Sequence, residues 1–189
     1  MPIGSLVLQE VLLDGSGMNR EVHVPFCERL LGRFRRSTHL TAIPELLQLL
    51  DLQGALVSID AMACQTKIAK TIIEQKGDYL LAVKGNQGNL SKAVQQAFSA
   101  LRNDASSLEA LQTEKQHGRI ESRLCQVLDA STLEGNFSRW KGLKTLAMIT
   151  SFRTEKGKPV SMEYRYYISS RIMSAEQVAS AVREHWAIE

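Results

Sequence analysis

The short apolar run from Gly54 to Asp60, with the sequence GALVSID, constrains the fold of this chain more than any other stretch. Its apolar residues favour a β-strand buried on both faces, which is the pattern of a parallel sheet covered by helices. Asp60 comes where such a strand leaves the sheet, at the edge where open α/β sheets bind ligands and metal ions. The same carboxylate could instead cap the helix that follows, by accepting hydrogen bonds from free backbone N–H groups. The run alone leaves both interpretations open.

The elements around this run predict a parallel βαβ unit. An amphipathic helix is predicted from about Cys64 to Lys76, with Gly77 as the residue that ends it, and residues 79–83 (YLLAV) predict a second buried strand. Because the links are short, the two strands should be parallel with a right-handed crossover. One flanking helix should run from Thr41 to Gly54, and another from about Asn89 to Leu101.

The pattern changes after residue 103. The stretches 119–128, 144–151 and 160–169 mix apolar and polar residues in a way that is typical of half-buried strands. Residues 105–170 are therefore predicted to form a mainly antiparallel β block, inserted into the α/β domain.

The last helix is predicted to begin at Ala175, after a capping box formed by Ser174 and Gln177, and to reach the chain end. Its inner stripe should consist of Val178, Val182 and His185. Glu189 falls within roughly 20° of that stripe on a helical wheel. A carboxylate therefore lies on the face meant to be buried, although a terminal Glu could also turn into water.

The composition is that of an ordinary globular protein, with 44% hydrophobic and 23% charged residues. No apolar run approaches the roughly 18–20 residues that a membrane span needs, and the N-terminus has no signal-peptide pattern, so we expect a cytoplasmic protein without a membrane partner. The three scattered cysteines suit a reducing compartment and show no metal-ligand spacing. The net charge of +3 is compatible with nucleic-acid binding but is weak evidence for it.

Five motifs in a fixed order resemble one protein family. They are IDAMACQ (59–65), DYLLAVKGNQ (78–87), HGRIE (117–121), RYYISS (165–170) and HWAIE (185–189). Their order and spacing resemble the bacterial insertion-sequence DDE transposases of the H-repeat-associated type, over residues 41–189. Several independent motifs make this resemblance specific. Residues 1–40 do not resemble the family, and we expect them to be irregular.

The resemblance implies a partial ribonuclease-H-like core, namely the parallel βαβ unit with flanking helices and the inserted β block. In this family two Asp and one Glu hold two Mg²⁺ ions, which clamp the attacking and leaving oxygens of a phosphoryl transfer on DNA. Asp60 matches the second Asp and Glu189 matches the Glu, so both are implied as catalytic residues and metal ligands. For the first Asp the chain offers Asp14, a poor match because the Lys of the family's motif is absent and Asp60 follows too soon.

The resemblance also implies DNA contacts by Lys84, Asn86, Gln87, His117, Arg119 and His185. The first three belong to a Lys-Gly-Asn-Gln loop whose glycine lets the backbone approach a phosphate, although a plain turn would explain the loop equally well. His117 and Arg119 could contact DNA or pair with Glu121 across a hairpin. His185 could contact phosphate or be an inner-face histidine satisfied by Glu189.

The resemblance therefore predicts a DNA transposase fragment, truncated at both ends and inactive alone. Its family performs Mg²⁺-dependent DNA cleavage and strand transfer. The implied partners are insertion-sequence ends, further copies of the chain, or an intact transposase. One alternative is a non-catalytic DNA-binding or inhibitory remnant, and another is a product that does not fold.

Overall fold

A computed structural model describes residues 20–23, 43–45, 47–100, 108–116, 119–155 and 159–187 of the chain. These residues form an α/β fold with one seven-stranded mixed sheet, which confirms the predicted α/β class. The strands are β1 (Arg20–His23), β2 (Ala55–Ile59), β3 (Asp78–Val83), β4 (Leu108–Gln116), β5 (Arg119–Asp129), β6 (Thr145–Glu155) and β7 (Ser161–Ser169). The α-helices are α1 (Thr66–Glu74), α2 (Gly88–Ala100) and α3 (Ala175–Ala187), and residues 43–45 and 47–48 are also helical. Across the described ranges, no helix is long and apolar enough to span a bilayer.

The sheet has the strand order β1-β2-β3-β7-β6-β5-β4. Strands β1, β2 and β3 are parallel, with Ser58 opposite Leu80, so the predicted parallel βαβ unit is confirmed. Strands β4 to β7 are antiparallel, as predicted for residues 105–170. Strand β7 pairs antiparallel with β3, so the antiparallel block extends the same sheet instead of forming a separate layer.

Two apolar cores lie on opposite faces of this sheet. On one face, alternate residues of β2 and β3 pack with α1 and α2: Val57, Ile59, Tyr79, Leu81, Ile68, Ile72, Val94 and Phe98. On the other face, the intervening strand residues pack with α3: Leu56, Leu80, Ala82, Val178, Ala181 and Val182. Because side chains alternate across a strand, burial on both faces requires the continuous apolar runs seen in the sequence.

Helix α1 does not end at Gly77 in the way that was predicted. Lys76 takes the left-handed conformation, with φ of 62°, where a glycine was expected. The backbone N–H groups of Lys76 and Gly77 donate to the carbonyls of Ile73 and Ile72, both at 3.0 Å, which is the Schellman pattern. Gly77 is needed for a different reason, because a Cβ atom there would lie 2.9 Å from the carbonyl oxygen of Leu52.

Helix α3 begins as predicted. The Ser174 N–H donates to Gln177 Oε1 at 2.9 Å, and the Gln177 N–H donates to Ser174 Oγ at 3.3 Å. This reciprocal pair confirms the capping box. The inner stripe is also confirmed, since Val178, Val182 and His185 are all buried.

Candidate active site

Asp60 lies at the carboxyl end of the parallel strands, directly after β2. It is the N-cap residue of a 3-10 turn (Ala61–Ala63), yet its side chain makes no capping hydrogen bond. The interpretation of Asp60 as a helix cap is therefore wrong. Its Oδ1 atom is buried and has no hydrogen-bond partner among the described residues. Since a buried acceptor without a partner costs free energy, this oxygen is suited to a ligand from outside the described residues.

Asp129 shows that the backbone conformation does not explain why the Asp60 side chain fails to cap its turn. Asp129 ends β5 and is the N-cap residue of another 3-10 turn, with φ −68° and ψ 139°, close to the φ −67° and ψ 164° of Asp60. Its carboxylate is exposed and accepts a hydrogen bond from the Ser131 N–H at 2.8 Å. Hydrogen bonds from the Ser131 side chain and backbone lower the pKa of Asp129 below its ordinary value of 3.8. Two similar junctions thus use their carboxylates differently, and only Asp129 caps.

A small cavity of about 10 Å³, roughly the room that one water molecule needs, lies beside Asp60. Residues of β2, β3, β7 and α3 line it: Ser58, Ile59, Asp60, Leu80, Ala82, Tyr167, Val182 and His185. Asp60 directly follows β2 in an extended conformation, two residues after Ser58, so the two side chains share one face, which is the face covered by α3. The carboxylate oxygen that lacks a partner among the described residues therefore belongs to a residue at the border of a largely apolar, partly open cavity.

His185 closes this cavity from α3. It is buried, and its Nδ1 atom lies 3.0 Å from the hydroxyl oxygen of Ser58, which is also buried. This hydrogen bond fixes the last turns of α3 against β2. The structure therefore places the predicted DNA contact His185 inside the protein. Glu189 lies four residues further on, outside the described residues.

The Lys-Gly-Asn-Gln loop follows β3 at the same edge of the sheet. Asn86 Nδ2 donates to the carbonyl oxygen of Ala61, and Gln87 Nε2 donates to that of Cys64, both at 2.7 Å. Lys84 is exposed. Two of the three predicted DNA contacts in this loop thus bond to the segment that follows Asp60. The predicted parallel pairing of β2 and β3 implied that these two loops lie side by side, but it did not specify the two hydrogen bonds.

The pKa of the Cys64 thiol is affected by the nearby charge of Asp60. Burial and, second, the negative charge of Asp60 raise the pKa of Cys64 from 9.0 to about 12. The thiol therefore stays protonated at neutral pH and is a poor metal ligand, because the thiolate is the form that binds metal.

Within the described part of the chain, none of the other predicted site residues lies at this edge of the sheet. Asp14, His117 and Glu189 lie outside that part, and Arg119 begins β5 with a side chain that is not described. Glu121 pairs with Arg123 at 2.8 Å and with Arg153 of the neighbouring strand at 3.9 Å.

Asp60 fits Mg²⁺ as one ligand, because this ion prefers carboxylate oxygens. No group of three His, Cys, Asp or Glu side chains converges within the described part of the chain. A two-metal centre therefore needs carboxylates beyond those that the structure describes.

A model of the family described as the transposase DDE domain matches residues 28–189 of the chain. The chain belongs to the DDE transposase domain family. The match begins before Thr41, where the resemblance of the motifs was expected to start.

The chain is also similar in sequence to three individual proteins. "Putative protein YbfL" of Escherichia coli K12 is 47% identical over 161 residues, and "H repeat-associated putative transposase YhhI" of the same strain is 46% identical over 160 residues. Each alignment covers 82% of this chain and 42% of the relative. "Uncharacterized protein in dhlA 3'region" of Xanthobacter autotrophicus is 40% identical over 184 residues, covering 89% of this chain and 62% of that protein.

The resemblance to H-repeat-associated transposases is thus confirmed, and this DDE transposase domain spans about two fifths of its E. coli relatives. Among solved structures, Streptomyces venezuelae DesVI aligns with a TM-score of 0.30 and 9% identity, covering 69% of this chain and 48% of that one. A score this low carries no argument about the fold.

Proposed function

We propose that this chain supplies two of the three metal-binding carboxylates of a DNA transposase, Asp60 and Glu189. The reaction would be Mg²⁺-dependent cleavage and strand transfer at insertion-sequence ends. One observation carries the proposal: Asp60 Oδ1 is buried and lacks a partner among the described residues, at the edge where parallel sheets bind ligands. The strand order supports a partial ribonuclease-H-like core, with three parallel strands, helices on both faces and the antiparallel strands as the insertion.

A bound Mg²⁺ ion would polarise the phosphate and activate water or a DNA 3′-hydroxyl. The protein's own contribution is to hold a carboxylate at the sheet edge and to limit water behind it. Leu80, Ala82 and Val182 supply the apolar wall, and the Ser58–His185 hydrogen bond holds α3 over it. In the sequence Glu189 follows His185 by four residues, which corresponds to about one helical turn.

DNA is the partner that we propose for the exposed side of this edge. Lys84 is exposed on the loop after β3 and has the charge needed for a phosphate contact, which positions DNA without reading its sequence. His117 and Arg119 are further candidates on the β4–β5 hairpin. Binding by such contacts should weaken steeply as the salt concentration rises.

We further propose that the chain alone does not complete the reaction. Among the described residues, Asp60 is the one carboxylate that lines the cavity of the proposed site, and a two-metal centre needs more. A second candidate function, DNA binding or inhibition without cleavage, follows from the same observations. Nicking of insertion-sequence end DNA by the purified chain, if lost in Asp60→Ala, would contradict the proposed inactivity.

Titration with Mn²⁺, followed by the electron paramagnetic resonance signal of the free ion, tests the metal site directly. Asp60→Asn should weaken binding by more than about tenfold, since even residues behind a ligand contribute about 10–100-fold to metal affinity. Glu189→Gln should weaken it similarly. Asp129→Asn is the matched control, because Asp129 has the same backbone position at another strand end, and it should leave the affinity unchanged. Equal binding by wild type and Asp60→Asn would overturn the proposal.

A further inference from the structure

Two side-chain amides connect the loops that follow β2 and β3. The Asn86 amide donates to the carbonyl of Ala61, and the Gln87 amide donates to the carbonyl of Cys64, both at 2.7 Å. These distances lie at the short end of the range for N–H···O bonds. Ala61 and Cys64 are the first and last residues of the four that follow Asp60, which we call the Asp60 turn (residues 61–64). The two amides therefore hold this turn at both of its ends.

Packing of Ala61, Ala63 and Cys64 in the apolar cores and two weaker backbone hydrogen bonds also hold the Asp60 turn. Its internal hydrogen bonds run from Ala63 N to Asp60 O at 3.1 Å and from Cys64 N to Ala61 O at 3.2 Å. Such 3-10 turns are short and have poor hydrogen-bond geometry. The Asp60 carboxylate does not cap the turn. The two amide contacts, at 2.7 Å, are thus shorter than both internal hydrogen bonds of the turn.

We propose that Asn86 and Gln87 are positioning residues, which hold the Asp60 turn and so keep the Asp60 carboxylate in the orientation that a metal ion requires. Amides suit this role because they donate hydrogen bonds without carrying charge. A Lys or Arg in the same place would instead add a positive charge beside the turn, which would repel a cation. The metal part of this inference rests on the proposed function, but the immobilisation of the turn does not.

The first test measures hydrogen exchange of the Ala63 and Cys64 amides by NMR, in Asn86→Ala and Gln87→Ala. Both amides should exchange about tenfold faster than in the wild type, because losing one hydrogen bond shifts such an opening equilibrium by about this factor. The matched control is Gln75→Ala. Gln75 Nε2 also donates to a backbone carbonyl, that of Leu47 at 2.9 Å, but on a different loop.

The second test measures Mn²⁺ affinity in the same variants. Asn86→Ala and Gln87→Ala should each weaken binding by about tenfold, as expected for residues behind a ligand, while Gln75→Ala should stay within about twofold of the wild type. The far-ultraviolet circular dichroism of all three variants should match the wild type, which shows that the fold is kept.

The outcomes separate this inference from the proposed function. Unchanged exchange of Ala63 and Cys64 in the two loop variants would overturn the inference, as would equally fast exchange in Gln75→Ala. Faster exchange with unaltered Mn²⁺ affinity would also overturn it, because the turn would then not position the carboxylate. If the wild type binds no Mn²⁺ while exchange is faster only in the loop variants, the amides do immobilise the turn, and the metal site is what fails.

Discussion

Asp60 and Asp129 occupy similar junctions between a strand and a 3-10 turn, but the residues that follow them differ. Two residues after Asp129 comes Ser131, whose N–H and hydroxyl both bond to the carboxylate. Two residues after Asp60 comes Met62, which has no side-chain donor. The Ser131 hydroxyl is thus one difference between the two junctions, whereas the backbone N–H of the second residue is present in both.

The pKa of Asp129 is the first prediction at this scale. The Ser131 hydroxyl is the largest cause of its lowered pKa, so Ser131→Ala should raise this pKa toward 3.8. Because the folded pKa is below the ordinary one, the contribution of Asp129 to stability is present above about pH 3.8 and is lost as the pH falls through the folded value. Carboxyl ¹³C NMR titration measures the pKa of Asp129 in the wild type and in the variant. Glu176, whose pKa is lowered by Ser174, is the internal control and should not move. An unaltered Asp129 pKa in Ser131→Ala would contradict the assignment.

The buried thiols give a second prediction. Burial is the main cause that raises the pKa of both Cys64 and Cys125 to about 12, with added repulsion from Asp60 and Glu176 respectively. Since the thiolate is the reactive form, neither should react with iodoacetamide at pH 8 in the folded protein. Both should react in urea, and mass spectrometry of the peptides distinguishes the two sites. Rapid modification of either residue in the folded state would show that its burial is not maintained.

The position of Asp60 at the carboxyl end of β2 could be predicted from the sequence, because a buried apolar run that ends on Asp is a local pattern. The hydrogen bonds of Asn86 and Gln87 were not, because they join loops whose contact depends on the pairing of β2 with β3. The predicted DNA role of these side chains stays a prediction. The burial of His185 was foreseen from the helical stripe, whereas its partner Ser58 lies 127 residues away and leaves no local signal.

At the scale of elements, prediction succeeded where apolar periodicity was strong. Strands β2, β3 and β7 and helices α1, α2 and α3 all lie close to their predicted ranges. Strands β1 and β4 were not predicted. Their sequences, REVH and LEALQTEKQ, are short or polar, and they are strands because each pairs with a neighbour in the sheet. A sequence pattern reports burial, whereas an edge strand is specified largely by backbone pairing.

The end of α1 gives a prediction at this scale. Lys76 has a left-handed backbone, which costs a non-glycine residue roughly 1–2 kcal/mol. Replacement by glycine removes that cost but adds about 0.5–1 kcal/mol of unfolded-state entropy. Lys76→Gly should therefore raise the free energy of unfolding by up to about 1 kcal/mol, measured by urea unfolding. Gly77→Ala should instead lower it by about 1–3 kcal/mol, because the added Cβ would meet the Leu52 carbonyl. Stabilisation by Gly77→Ala would contradict this account of the turn.

At the scale of the molecule, β3 and β7 join the parallel and antiparallel parts of one sheet. Side chains strengthen this joint at the end of β7, where the Ser169 hydroxyl donates to the Tyr79 carbonyl at 2.7 Å. The Tyr79 N–H donates to Ser170 Oγ at 2.9 Å, and Arg171 pairs with Asp78 at 3.0 Å. The site at the opposite end of β2 and β3 thus rests on strands that are held from both parts of the sheet.

This joint predicts that the described sheet unfolds as one cooperative unit. Amides of β2 and β3 and amides of β5 and β6 should show the same free energy of opening in hydrogen exchange at rising urea concentration. Ser169→Ala should lower that value by about 1–2 kcal/mol in both sets, because it removes the hydrogen bond to the Tyr79 carbonyl and the one accepted from the Arg171 N–H. Thr113→Ala serves as the control, since its hydroxyl bonds to Ser122 at an exposed position on β4 and β5 and should contribute less than about 0.5 kcal/mol. If Ser169→Ala lowers the opening free energy of β2 and β3 alone, the antiparallel strands are a separate folding unit, and the proposed active site then depends on only one part of the sheet.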